Sequence, residues 1–241
     1  MATPNAALFS WQQHPGAQVP LATAVRDEAG HDTTLGNIIG SHPVVLDLGY
    51  YHCPSLCGVV RADLFNAIAT SGLVPGKDFS VLAVSIDPAE TPADAAGAKA
   101  ADLHASPSIP PTALHYVTAA QAGITAIAGA IGFRERWDPQ YKQFIHPAGL
   151  VILTKGGAVS SYLLGAGFTG GDLRAAVLRA GDGGIAQAAL PILLVCFHFD
   201  STTGRYTLAI VKLLRLLGIL TIVVIGGLLI VLNRTKSRLR G

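Results

Sequence analysis

Cysteine is scarce in this chain: Cys53, Cys57 and Cys196 are the only three in 241 residues. Two of them stand four positions apart, so most of the sulfur chemistry falls to one pair. Its Cys-x3-Cys spacing is not the Cys-x-x-Cys of ordinary thiol oxidoreductases. Charge is scarce as well. Charged residues make up 13% of the chain, the net charge is +2, and no basic stripe lies outside the C-terminal tail. That excludes the electrostatic footprint of a nucleic-acid binder. No internal repeat, low-complexity tract or peroxide-activating signature is present. The opening residues, MATPNAALFSWQQHPGAQ, have neither a basic n-region nor a long apolar run, so they do not read as a signal peptide.

Apolar residues, by contrast, are half of the chain, and the excess is concentrated near the C-terminus. From Leu216 to Leu232 the sequence LLGILTIVVIGGLLIVL contains no charge and no proline. As a helix it spans about 25 Å, and Leu213, Leu214 and a snorkelling Arg215 extend it to about the thickness of a bilayer core. A transmembrane helix is therefore expected at 212–233. Arg234, Lys236, Arg238 and Arg240 follow it with no acidic residue. Arg205, Lys212 and Arg215 precede it, so the cationic bias towards the cytoplasmic side is slight, and it places the basic tail 234–241 in the cytoplasm. The main domain is then expected on the periplasmic face of a bacterial inner membrane. Export of an N-terminal domain requires a signal peptide, so either one stands upstream of the sequence as written or the domain stays in the cytoplasm; the cysteine chemistry below favours the first.

The remaining residues suffice for one domain of about 150–200 residues with a full core. Residues 1–38 read as an extended lead-in with a turn at Asp27-Glu28-Ala29-Gly30. Buried strands are expected at Pro43–Tyr51 and Ser80–Ile86, the latter closed by Asp87-Pro88. Helices are expected at Gly58–Thr70, then from Thr91 as N-cap and Pro92 at the first helical position to Leu103, then at Ala119–Ile131. His115–Val117 is a short strand, and Gly149–Leu153 and Val159–Leu164 form a hairpin turning at Lys155-Gly156-Gly157. A last helix at Asp172–Ala180 closes a domain at 39–182, and a juxtamembrane linker at 183–211 leads to the span. This order gives an α/β fold with a mixed sheet flanked by helices. A dithiol at the C-terminal end of the first core strand lies where open α/β sheets put their chemistry. The combination is a thioredoxin-like architecture.

Cys53 and Cys57 bracket Pro54-Ser55-Leu56 where the first core strand should give way to a helix. Four residues apart at a helix start, their Cα atoms lie about 6 Å apart, within reach of a disulfide. A helix N-terminus makes thiolates available. Two thiolates suit Cu(I), and an added imidazole extends the set to Cu(II) or another borderline metal. A soft-metal clamp and a redox couple are both open on this spacing. Eight histidines compete to be a third ligand: His14, His31, His42, His52, His104, His115, His146 and His198. His146 is the best placed, because Pro147 holds it extended just before a strand. His52 should point to the other face of the strand end and be structural. Asp87 reads either as a carboxylate orienting His146 or Cys57, or as a turn-former ahead of Pro88. Cys196 and His198 are two ligands, below the number a closed site requires. Glu135, Arg136 and Trp137 are candidates for a partner-docking rim.

YYHCPSLCGVV, VSIDPAETP and QFIHPAGLVILT, in this order and at this spacing, resemble the Sco (SenC) family over about residues 15–182. The resemblance implies a membrane-tethered copper-binding protein that helps assemble the copper centre of cytochrome c oxidase. It implies Cys53, Cys57 and His146 as the copper ligands, and it maps the family's Asp-Pro onto Asp87-Pro88. The implied partners are the copper-accepting oxidase subunit, other copper chaperones or thiol reductants, and membrane lipid. The usual member is anchored near its N-terminus, whereas the span here is at the other end. A thiol–disulfide oxidoreductase that reduces the cysteines of an apo copper site, through Cys53 and Cys57, is the alternative.

Overall fold

The computed structural model describes residues 11–53 and 57–188, together with Gly218 and Thr221. Pro54, Ser55, Leu56, the Cys57 side chain, Cys196 and His198 lie outside the described residues. So do the linker from residue 189 onward and the expected span, apart from its two helical residues Gly218 and Thr221. Among the described residues no helix is long and apolar enough to cross a membrane. The chain divides into two units, Met1–Cys196 and Phe197–Gly241.

The first unit is built on strand β3 (Val44–Gly49), every residue of which is buried. Parallel strands β4 (Ser80–Ser85) and β5 (Leu114–Thr118) follow on one side, and antiparallel β8 (Gly149–Leu153) and β9 (Val159–Leu164) on the other. Two further strands, β1 (Ala24–Asp27) and β2 (Asp32–Thr34), complete a seven-stranded sheet of order β2-β1-β5-β4-β3-β8-β9. The lead-in is thus more than extended chain: its expected turn joins two strands, and β1 pairs antiparallel with β5.

Because side chains alternate across a strand, β3, β4 and β8 feed two cores. Val44, Leu46, Leu48, Leu82, Val84, Val151 and Leu153 pack with helices α1 (Leu35–Ile39) and α4 (Gln121–Ile131). Val45, Val81, Ala83, Leu150 and Ile152 pack under α2 (Cys57–Ser71), α3 (Pro92–Ala105) and α5 (Gly170–Gly181). Burial on both faces explains the unbroken apolar runs of the parallel strands. The result is the expected mixed α/β sheet between helix layers.

Local chemistry sets the helix starts. Thr91 and Thr169 each cap a helix and form a reciprocal box with Asp94 and Asp172. Gly132, in the left-handed conformation, ends α4. A second small sheet, β6 (Arg136–Asp138) with β7 (Gln143–Ile145), lies between α4 and β8. Its strands are three residues long, too short for periodicity to reveal.

Candidate metal centre

Topology alone brings the Cys53 and His146 loops to one end of the sheet. β3 runs into the Cys53 loop, and β8, antiparallel to it with Leu46 opposite Val151, begins just beyond the His146 loop. Cys53 is partly buried and packs against the core on the α4 side. Its backbone N–H donates to Tyr50 O at 3.3 Å, turning the chain out of the strand. Cys57 opens α2. No acidic residue stands in the first turn of α2, so the positive end of its dipole faces the dithiol loop undiminished.

His146 is 4% exposed, a buried imidazole. Phe133 lies against it at 5.5 Å between ring centroids and Tyr50 at 6.1 Å. Phe144 packs on Tyr50 at 5.6 Å, and the exposed Trp137 packs edge-on against Phe144 at 5.1 Å. The lead-in supports this box. Trp11 packs against Phe133 at 5.1 Å, and its Nε1 donates to Ala148 O at 2.9 Å. Nδ1 of His146 lies 3.0 Å from Pro147 O. A carbonyl can only accept, so this hydrogen bond requires the proton on Nδ1 and leaves the lone pair of a neutral ring on Nε2. That is the arrangement of a ligating imidazole oriented by a backbone carbonyl. Gly149 follows the loop at φ 136°, and a Cβ there would lie 2.7 Å from Leu163 O. Only glycine lets β8 start so close to the end of β9.

Two acidic residues absent from the sequence-based site lie close behind it. Asp47 interrupts the apolar run of β3, and burial pushes its carboxyl up to about 6. Arg61 and His146 pull it down, while Asp102 and Cys53 push it up further. The signal was one charged residue inside VVLDLG. Glu90 is also buried, and its oxygens accept from the N–H groups of Tyr51 and His52, each at 2.8 Å. Its signal, a glutamate within VSIDPAETP, was overshadowed by Asp87. The Asp87 carboxylate accepts from Ala89 N–H at 2.9 Å, within its own turn. His52 faces Glu90 at 3.1 Å and Asp94 at 3.5 Å. Glu135 is half-buried, and burial raises its carboxyl against the opposing pull of His146. It therefore feels the field of the imidazole.

Among the described residues no three His, Cys, Asp or Glu side chains cluster closely enough to hold a metal. Cys53 and His146 supply two soft or borderline donors, and a third would have to come from Cys57, whose side chain lies outside the described residues. The chemistry of this donor set fits copper.

Fold and site define a protein of thioredoxin-like architecture with a dithiol loop and a buried histidine at one sheet end. No protein-family model matches the chain, and no curated protein matches it. Its solved structural neighbours include Sco family proteins. Copper-bound ScoI of Arabidopsis thaliana has a TM-score of 0.55 at 15% identity, covering 71% of this chain and 98% of that one. BsSco, a member of the Sco family of cytochrome c oxidase assembly proteins in which a disulfide switch is described, has a TM-score of 0.51 at 15% identity, covering 70% and 96%. A candidate electron transfer protein of Aquifex aeolicus VF5 has a TM-score of 0.63 at 26% identity, covering 71% and 96%.

Proposed function

We propose that the chain is a membrane-anchored copper metallochaperone of the Sco type. Cys53, Cys57 and His146 hold one copper ion, Cu(I) or Cu(II), as cargo and pass it by ligand exchange to the copper-accepting subunit of cytochrome c oxidase. The observation that carries this reading is the convergence of the Cys53 and His146 loops on one sheet end, with His146 Nδ1 3.0 Å from Pro147 O. The shared fold with copper-bound ScoI supports it. In this reading the span at 212–233 tethers the domain on the periplasmic side and leaves the tail in the cytoplasm.

The test is copper stoichiometry and spectroscopy on the purified, reduced chain. One copper per chain with sulfur and nitrogen ligation is expected. Cys53→Ser, Cys57→Ser and His146→Ala should each lower affinity by more than about 100-fold, beyond the usual effect of removing an outer partner. Failure of the reduced chain to retain copper overturns the reading.

A second reading has its own support in the unopposed N-terminus of α2 at the dithiol. Here Cys53 attacks a disulfide of an apo copper site as a thiolate, and Cys57 resolves the mixed disulfide. Two thiols leave the target reduced while the Cys53–Cys57 disulfide forms, so electrons and protons balance between the two pairs. His146→Ala separates the readings: it abolishes tight copper binding under the first and barely alters disulfide exchange under the second.

A further inference from the structure

The backbone leading into Cys53 hangs on one side chain from a distant part of the sequence. Glu90 lies between β4 and α3, and its side chain is 4% exposed. Oε2 accepts from Tyr51 N–H at 2.8 Å and from the Ser85 hydroxyl at 2.6 Å. Oε1 accepts from His52 N–H at 2.8 Å and faces His52 Nδ1 at 3.1 Å. Two consecutive N–H groups on one carboxylate form an anion nest built into the chain itself. Such charge-assisted bonds are about twice as strong as neutral ones.

The carboxylate is itself held on both sides. Ser85 closes β4, and its hydroxyl also accepts from Asp87 N–H at 3.0 Å. Glu90 N–H donates to Asp87 O at 3.1 Å. Asp94, which completes the Thr91 capping box, lies 3.5 Å from the other ring nitrogen of His52. Tyr51 is pinned separately, its hydroxyl donating to Val117 O at 2.7 Å. The only residues between this latch and the sulfur are His52 and Cys53 itself.

We propose that Glu90 is a positioning residue for the metal centre, fixing the 51–52 backbone through its two N–H contacts and thereby the place where Cys53 presents its sulfur. Metal exchange needs a ligand held in place without being held by metal, and the latch provides this in the metal-free protein. The proposal rests on the copper-binding reading for its consequence, while the geometry it describes exists without copper.

Three variants test it. Alanine removes both acceptors. Glutamine keeps one carbonyl oxygen but turns an NH2 group towards a backbone N–H, which it cannot accept. Aspartate keeps the carboxylate on a shorter stem. Two readouts are taken on the full chain. One is the rate of Cys53 alkylation by iodoacetamide in the reduced, metal-free protein carrying Cys57→Ser and Cys196→Ser. The other is Cu(I) affinity by competition with a chromophoric chelator in the chain with all cysteines intact. Expected are a several-fold faster alkylation in Glu90→Ala, from loss of a nearby negative charge and a looser loop, with Glu90→Gln intermediate. Cu(I) affinity should fall by about 10–100-fold in Glu90→Ala, the usual effect of removing an outer partner, and recover in part in Glu90→Asp. Thermal unfolding of each variant accompanies these, so that unfolded protein is not scored. Alkylation and affinity within twofold of the parent in folded Glu90→Ala overturn the proposal. If the parent itself binds no copper, the copper reading fails, and the alkylation series still decides whether Glu90 positions Cys53.

Discussion

The Cys53 loop is tied by hydrogen bonds to one buried carboxylate, whereas the His146 loop is wedged among Tyr50, Phe133, Phe144 and Trp11. A polar latch is directional and short-ranged, so it sets where a backbone sits to within a hydrogen-bond length. An aromatic box is non-directional and strong in aggregate, so it excludes water and limits ring rotation. Under the copper-binding proposal, the division suits the two ligands. A thiolate must be presented yet free to exchange metal or electrons. An imidazole contributes only if its ring is held with the right nitrogen outward.

The largest test of that contrast is Phe133→Ala. Phe133 is 3% exposed and touches both Trp11 and His146. Its truncation should cost about 3–5 kcal/mol in urea unfolding. It should also weaken copper binding by freeing the imidazole, while leaving the alkylation rate of Cys53 near that of the parent. Equal disturbance of both loops would show that they are one mechanical unit.

Asp47 interacts electrostatically with Cys53 and His146 at once. Its carboxyl is raised in the folded state, so folding binds a proton there between about pH 4 and 6. Stability from this group is therefore present at low pH and lost as pH rises through about 6. Arg61 and His146 work against the shift, Asp102 and Cys53 with it. Asp47→Asn removes the cost of the buried charge and leaves Arg61 its Asp102 partner at 3.3 Å. The variant should be more stable than the parent at pH 8 by up to about 3 kcal/mol. The advantage should vanish near pH 4, as read by denaturant titration across that range.

Trp11→Phe is a smaller test of the aromatic side alone. It deletes the bond from Nε1 to Ala148 O, though that carbonyl keeps Gly165 N–H at 3.0 Å. A loss of about 1.5 kcal/mol is expected, with a modest fall in copper affinity through the 146–148 backbone.

The same contrast explains what was legible in the sequence. Cys53 and Cys57 stand out by spacing and strand-end position, whereas His146, which shares its following proline with His14 and His42, is singled out by the resemblance of QFIHPAGLVILT to the Sco family. The core strands show as apolar runs because the sheet is covered on both faces, and the Thr91 helix start has visible capping chemistry, whereas the last helix, expected from Asp172, begins at Gly170 behind a Thr169 cap. Glu90 could not be found that way, since its role depends on where β4 returns relative to β3. The aromatic box was equally hidden: Tyr50, Phe133 and Phe144 come from three separate segments, and each reads as ordinary core. Strands β1, β2, β6 and β7 are too short for alternation to distinguish them from loop.

The smallest expected effect separates two helix starts with the same chemistry. Thr91 and Thr169 form matching boxes with Asp94 and Asp172, with cap-to-N3 distances of 3.4 and 3.2 Å. Each threonine-to-alanine change should cost about 1 kcal/mol. Asp172 binds only its own cap among the contacts described, whereas Asp94 also faces His52 beside Cys53. Freed from its cap, Asp94 can swing towards or away from that ring and disturb the Glu90 latch. Thr91→Ala should therefore shift the alkylation rate of Cys53 by about twofold, and Thr169→Ala should leave it unchanged at equal loss of stability. If the two variants behave alike, the latch ends at Glu90 and α3 contributes no more than its position.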